Sequence, residues 1–123
     1  MDINQLTHEI LDSAYKVHAK LGPGLLESAY RACLVYELRK KGLKVESEKP
    51  LPLIYEEVKL ECGYRIDIFV ENQVVIELKT VEAFTDVHTA QVLTYLKLSG
   101  APIGLLINFY TKHLKEGIKR LIL

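Results

Sequence analysis

Thiols are scarce in this chain: of 123 residues only Cys33 and Cys62 carry one, and their spacing suits neither a disulfide framework nor a metal knuckle. Both sit among apolar neighbours, where free cysteine behaves as a small hydrophobe, so structural roles are expected. No apolar run approaches the ~20 residues that span a bilayer. The start, Met1-Asp-Ile-Asn, lacks the basic and apolar regions of a secretory leader. The expectation is a cytoplasmic protein with no membrane contact. A charge excess is missing as well, since 16 Lys and Arg balance 16 Asp and Glu. Global charge therefore gives no pull toward nucleic acid, whose nonspecific affinity comes mainly from phosphate neutralisation. Any polyanion contact must be local. The densest basic groups are Arg39-Lys40-Lys41 with Lys44, and Lys112, Lys115, Lys119 and Arg120, though such clusters are usually solvated faces. Repeats, low-complexity tracts and linkers are also lacking.

What is present is ample apolar material, 49% of the chain, enough for one domain that buries roughly two-thirds of its unfolded surface. Ile3, Leu6, Ile10, Ala14, Val17 and Leu21 recur at helical spacing and stop at Gly22-Pro23. A second helix is predicted from about Leu25 to Lys41, with Leu26, Tyr30, Cys33, Leu34 and Leu38 on its apolar side and Gly42 closing it. The character then changes. Leu43 to Ser47, Leu51 to Leu60, Tyr64 to Val70 and Gln73 to Thr80 read as successive strands, with Lys49-Pro50-Leu51-Pro52 a connection or edge. Thr85-Asp86 caps a third helix, Asp86 to Leu98, ended by Gly100-Ala-Pro102. The near-continuous apolar run Ile103 to Phe109 predicts a strand covered on both faces, and Gly117 to Leu123 reads as an edge strand or a short helix. The expected class is α/β (α+β), a mixed sheet flanked by helices.

Two of these strands carry charges into what should be an interior. Alternation puts Val75, Glu77 and Lys79 on one face and Val74, Ile76 and Leu78 on the other. A three-residue loop, Glu71-Asn72-Gln73, would pair Val70 with Val74 and set Asp67 opposite Glu77, whereas a slip of one residue would turn Asp67 away. Asn72 tolerates the left-handed backbone that such loops use. Opposed carboxylates lie about 5 Å apart at Cβ and repel unless something positive stands between them. Magnesium suits that place, because it takes oxygen ligands and keeps several waters, with manganese as a substitute. Lys79 would orient or deprotonate an attacking water or neutralise charge on a phosphate. The competing reading is a solvent-facing Glu-Lys ladder on an edge strand.

Other polar residues fall into line. Glu27 is central to the stripe of Tyr30, Leu34 and Leu38, so a carboxylate faces the core. It also fits a cap: with Gly24 as N-cap, Glu27 would reach back to the helix start and favour the macrodipole. His88, Gln91 and Tyr95 share one face of the third helix, positioned to bind a phosphate backbone or to hold the lysine. The plainer alternative is a half-exposed face on which Tyr95 packs by its ring and His88 is an ordinary surface histidine.

Gly24-Leu-Leu-Glu-Ser-Ala-Tyr30 resembles the signature of the GxxExxY proteins, and Ile66-Asp67 with Glu77-Leu-Lys79 resembles the divided motif of the PD-(D/E)XK nuclease superfamily. Gln91-Val-Leu-Thr-Tyr95 is similar to the QxxxY element that follows the Glu-x-Lys strand in the exonuclease branch. The resemblance runs over essentially the whole chain; the name-giving proline is replaced by Ile66, at a position that varies widely in the superfamily. It implies a restriction-endonuclease-like core, with Asp67 and Glu77 as metal ligands, Leu78 contributing its carbonyl and Glu27 an additional acidic residue. Lys79 would be the catalytic lysine. Gln91 and Tyr95, with His88, would support the site or contact substrate, while Tyr30 would set the second helix against the sheet.

The expected function is magnesium-dependent hydrolysis of phosphodiester bonds in nucleic acid, DNA before RNA. Nothing in a chain of this size forms a separate gripping domain, so target choice would fall to a homodimer or a protein partner. The rival keeps the fold without the reaction, as a catalytically silent module for nucleic-acid or protein binding. A third reading makes the carboxylates structural partners of Arg65 and Lys79.

Overall fold

A computed structural model describes residues 1–61 and 63–123; the expectation for Cys62 lies outside the described residues. Helix α1, Ile3–Leu21, begins in a capping box: Asp2 Oδ1 accepts from the Gln5 N–H at 2.8 Å and Gln5 Oε1 accepts from the Asp2 N–H at 2.9 Å. It buries Leu6, Ile10, Ala14 and Val17, as its spacing predicts. Gly22 and Gly24 then adopt positive φ, 67° and 108°, which turns the chain within a few residues.

Helix α2 runs Glu27–Lys40 and buries Tyr30, Leu34, Val35 and Leu38. It starts later than expected. Leu26, not Gly24, is the N-cap, and no side chain caps the helix. The cause is Tyr30, whose hydroxyl donates to the Gly22 carbonyl and accepts from the Leu25 N–H, the latter at 3.1 Å. Those bonds hold residues 22–25 in a loop and leave Glu27 as the first helical residue, without the capping role that the sequence allowed.

The main sheet has the order β1-β4-β5-β6-β7. Its strands are β1 Val45–Pro50, β4 Arg65–Val70, β5 Val74–Lys79, β6 Ile103–Asn108 and β7 Ile118–Ile122. Strands β5 and β6 are parallel and joined through α3, Asp86–Ser99, while the other neighbours are antiparallel. Pro50 ends an edge strand, where its missing N–H costs no ladder bond. The stretch Leu51 to Leu60 is not one strand. It folds back as a separate hairpin, β2 Leu53–Tyr55 and β3 Val58–Leu60, because Glu56 takes a left-handed turn conformation (φ 53°) and Pro50 and Pro52 bracket its start. Of the two alternatives for Gly117 to Leu123, the edge strand is the one formed, as β7, and a 3₁₀ turn at Leu114–Gly117 leads into it.

Two apolar layers enclose the sheet. Ile68, Val70, Val74, Ile76, Leu78, Leu105 and Ile107 pack with α1 and α2. Phe69, Val75 and Leu106 pack with Val92, Tyr95 and Leu96 of α3. All six residues of β6 are buried, as expected for a strand covered on both faces. At Gly104 helix α3 comes so close that an added Cβ would lie 2.5 Å from Val92. Among the described residues no helix is long and apolar enough to cross a membrane.

Candidate active site

The β4–β5 turn has the register that the loop length predicts. Val70 pairs with Val74, Phe69 with Val75 and Ile68 with Ile76, and Glu71 and Asn72 take the left-handed conformation (φ 53° and 55°). Carried one step further, this register brings Asp67 to Glu77, but there the ladder opens. On the other side, β1 pairs with β4 through Ser47 and Ile68, skips Glu48 and resumes at Lys49 and Ile66, with Glu48 at φ 52°. Asp67 is thus out of the ladder with both neighbours.

Side chains take over where the backbone pairing stops. The Asp67 N–H donates to Glu77 Oε1 at 3.0 Å, and the Leu78 N–H donates to Asp67 Oδ2 at 2.9 Å. Glu77 is only 2% exposed. Burial first, and the neighbouring Asp67 charge second, push its carboxyl up to about 9, against smaller opposing pulls from the Asp67 N–H and then Lys79. No ion pair within 4 Å joins Asp67, Glu77 or Glu27 to Lys79 or Arg65 among the described residues. The carboxylates are therefore not tied up as structural salt bridges.

Glu27 projects from the start of α2 and is half-buried. Its carboxyl is raised by burial and then by the Asp67 charge, with Lys79 and Arg31 acting in the opposite sense. Its charge therefore acts on the same site. Arg31 is in turn held 3.5 Å from Glu48, so the break in β1 and the first turn of α2 are connected. Among the described residues no three His, Cys, Asp or Glu side chains gather into a ready-made metal cage. Asp67 and Glu77 form the tight pair and Glu27 stands outside it.

Helix α3 forms the opposite wall. His88, Gln91 and Tyr95 line one cavity of about 530 Å³ together with Lys79 and Tyr64. Gln91 Nε2 donates to the Tyr95 hydroxyl at 3.3 Å. The Tyr95 phenol is raised by burial and by the Glu77 charge, which places Tyr95 within electrostatic reach of the carboxylate pair. His88 also helps begin the helix, since its Nδ1 accepts from the Thr85 N–H at 3.1 Å. Tyr30 does not face this cavity. It is fully buried and stacks on Phe109, ring centroids 4.5 Å apart, and its hydroxyl fixes the loop before Glu27.

Asn108 is absent from the expected set. It lies opposite Lys79 in the β5–β6 register and is 2% exposed. Its side chain donates to the Val81 carbonyl at 2.6 Å and accepts from the Val81 N–H at 3.2 Å and the Tyr110 N–H at 3.1 Å. The Phe109 N–H donates to the Lys79 carbonyl at 2.9 Å. The end of β5 is thereby fixed on both sides of Lys79. The signal was a lone amide in the apolar run Ile103 to Phe109.

A mixed sheet that opens at one end between an Asp and a Glu-x-Lys strand, with helices on both faces, has the form of a restriction-endonuclease-like core. The sequence model of the PD-(D/E)XK nuclease superfamily matches residues 4–121. The chain belongs to that superfamily. No curated protein and no solved structure gives a significant match. Members of the superfamily typically use divalent metal ions, and the donors of this PD-(D/E)XK chain fit such an ion. The Asp67–Glu77 pair is a hard oxygen set whose Glu77 carries a pKa raised by burial and then by the Asp67 charge.

Proposed function

We propose that this protein is a divalent-ion-dependent nuclease of the GxxExxY type, one domain over residues 1–123, which hydrolyses phosphodiester bonds of nucleic acid, DNA before RNA. The observation that carries this reading is the Asp67–Glu77 pair at the open end of the sheet, with Glu77 buried and held protonated well above the carboxylate range. Such a pair is costly for folding alone and gains a purpose when a cation replaces the proton.

Asp67 and Glu77 would hold the ion. The N–H and C=O of one strand residue face the same neighbour, and the Leu78 N–H points at Asp67, so the Leu78 carbonyl is a third candidate donor. Magnesium, with manganese as a substitute, would polarise the scissile phosphate and acidify a bound water. Lys79 supplies a positive charge against the phosphate as the attacking water forms its bond to phosphorus and the leaving oxygen departs. Glu27 adds negative charge at the margin and favours cation uptake. Gln91 and Tyr95 hold the cavity wall beside Lys79. The protein acts in the cytoplasm, with target choice supplied by a homodimer or a protein partner.

The test is magnesium-dependent cleavage of single-stranded, double-stranded and flap DNA and of RNA, beside calorimetric titration with magnesium or manganese. Cleavage lost in Lys79→Ala and ion binding lost in Asp67→Asn support the reading. Cleavage that persists in Lys79→Ala, or equal absence of ion binding in wild type and Asp67→Asn, defeats it.

A further inference from the structure

We infer that the cavity beside Lys79 seats one unpaired nucleobase, so that the substrate is taken as single-stranded nucleic acid or a frayed end. The inference rests on the nuclease reading and names the form of its substrate. At about 530 Å³ the cavity falls in the range of roughly 300–1,000 Å³ common for small-ligand sites. It opens between α3 and the segment that carries Tyr64. A base pair within its stack does not enter such a hollow; a base swung out of the strand does.

The lining matches a nucleobase, which has two apolar faces and a rim of donors and acceptors. Tyr64 is 47% exposed and offers an aromatic face for stacking. Val87, also on the cavity, is 73% exposed, an apolar side chain left in water at the first turn of α3. Gln91 gives one N–H to Tyr95 and keeps its carbonyl oxygen and second N–H, a donor and acceptor pair suited to a base edge. With His88 Nδ1 accepting from Thr85, the ring's remaining donor is Nε2–H. The balance of 16 basic and 16 acidic residues points the same way. Without a net positive charge, stacking carries more of the affinity than phosphate neutralisation does.

Fluorescence anisotropy with a labelled short single strand, as DNA and as RNA, and with a blunt DNA duplex of the same sequence tests this, in calcium and again in EDTA. The expected result is single-strand binding tighter than duplex binding by about tenfold or more. Tyr64→Ala weakens it by about fivefold or more and Tyr64→Phe preserves it. Val87→Glu weakens single-strand binding as well, while thermal melting shows each variant folded. Equal affinity for single strand and duplex, or wild-type binding by folded Tyr64→Ala and Val87→Glu, overturns the nucleobase seat. Ion titration of the same samples judges the nuclease reading separately. Ion uptake by Asp67 and Glu77 without single-strand preference leaves that reading standing and removes only this one.

Discussion

Glu77 Oε1 accepts the backbone N–H of Asp67, and the Asp67 carboxylate accepts the backbone N–H of Leu78, so each acid closes the gap left in the other's strand. The two carboxyls are thereby fixed close together in a largely buried place, and Glu77 resolves the conflict by keeping a proton up to about pH 9.

That proton makes stability depend on pH. Unfolded, Glu77 releases its proton near the ordinary glutamate value, 4.5, whereas folded it does so only near 9. Between those values the folded state binds more protons, so stability falls as pH rises, by at most about 1.4 kcal/mol per unit. Thermal melts without divalent ions should decline from pH 5 to pH 9, and Glu77→Gln should flatten the decline. Added magnesium should raise the melting temperature more at pH 8 than at pH 5.5, because at pH 5.5 the proton competes with it. A slope that is the same in wild type and Glu77→Gln would show that Glu77 is not the responsible group.

Asn108 gives a second prediction. Its amide satisfies the N–H and C=O of Val81 and the N–H of Tyr110 in a buried place, and Asn108→Ala would leave all three without it. The expected loss is about 2–3 kcal/mol, read from urea unfolding. Because Val81 is two residues past Lys79, cleavage should fall more steeply than stability explains, while ion binding at Asp67 and Glu77 changes little. Activity that merely tracks the folded fraction would reduce Asn108 to a structural residue.

Much of this was legible in the sequence because the relevant periods are strong. Helix α1 begins and ends where its apolar spacing places it, and the register at Glu71–Gln73 follows from loop length. The Leu51 to Leu60 segment misled because alternating apolar residues look the same in a sheet strand and in an exposed hairpin; Ile54 and Tyr55 are 65% and 66% exposed. The start of α2 was misplaced because the decisive bonds run from Tyr30 back to Gly22 and Leu25, and a side chain reaching back across the helix start leaves no mark in local propensity. Asn108 needed the parallel pairing of β5 with β6, a long-range relation that one strand's sequence does not carry.

Tyr30→Phe isolates the loop from the core. The phenyl ring still stacks on Phe109, but the Gly22 carbonyl and the Leu25 N–H lose their partner. A cost of about 1–2 kcal/mol is expected, with faster hydrogen exchange confined to residues 22–30. Divalent-ion affinity should drop only slightly, since Glu27 lies outside the tight pair. Unchanged exchange in that segment would mean that the hydroxyl does not set the start of α2.

Gly104 tests the packing that brings α3 to the site. Its absent side chain lets α3 approach β6 so closely that a Cβ would meet Val92 at 2.5 Å and Leu96 at 3.3 Å. Neither is the free end of a long flexible chain, so Gly104→Val must push the helix outward or distort the strand, at about 1–3 kcal/mol. Moving α3 also moves Gln91 and Tyr95 away from Lys79, and the cavity between them widens. The variant should therefore melt lower and bind single strands more weakly while its ion titration stays close to wild type, because Asp67 and Glu77 sit on β4 and β5. Pairing it with Val92→Ala, which clears the nearest atom, should recover part of both losses. If the double variant recovers stability but not single-strand binding, the position of α3 does not govern the cavity.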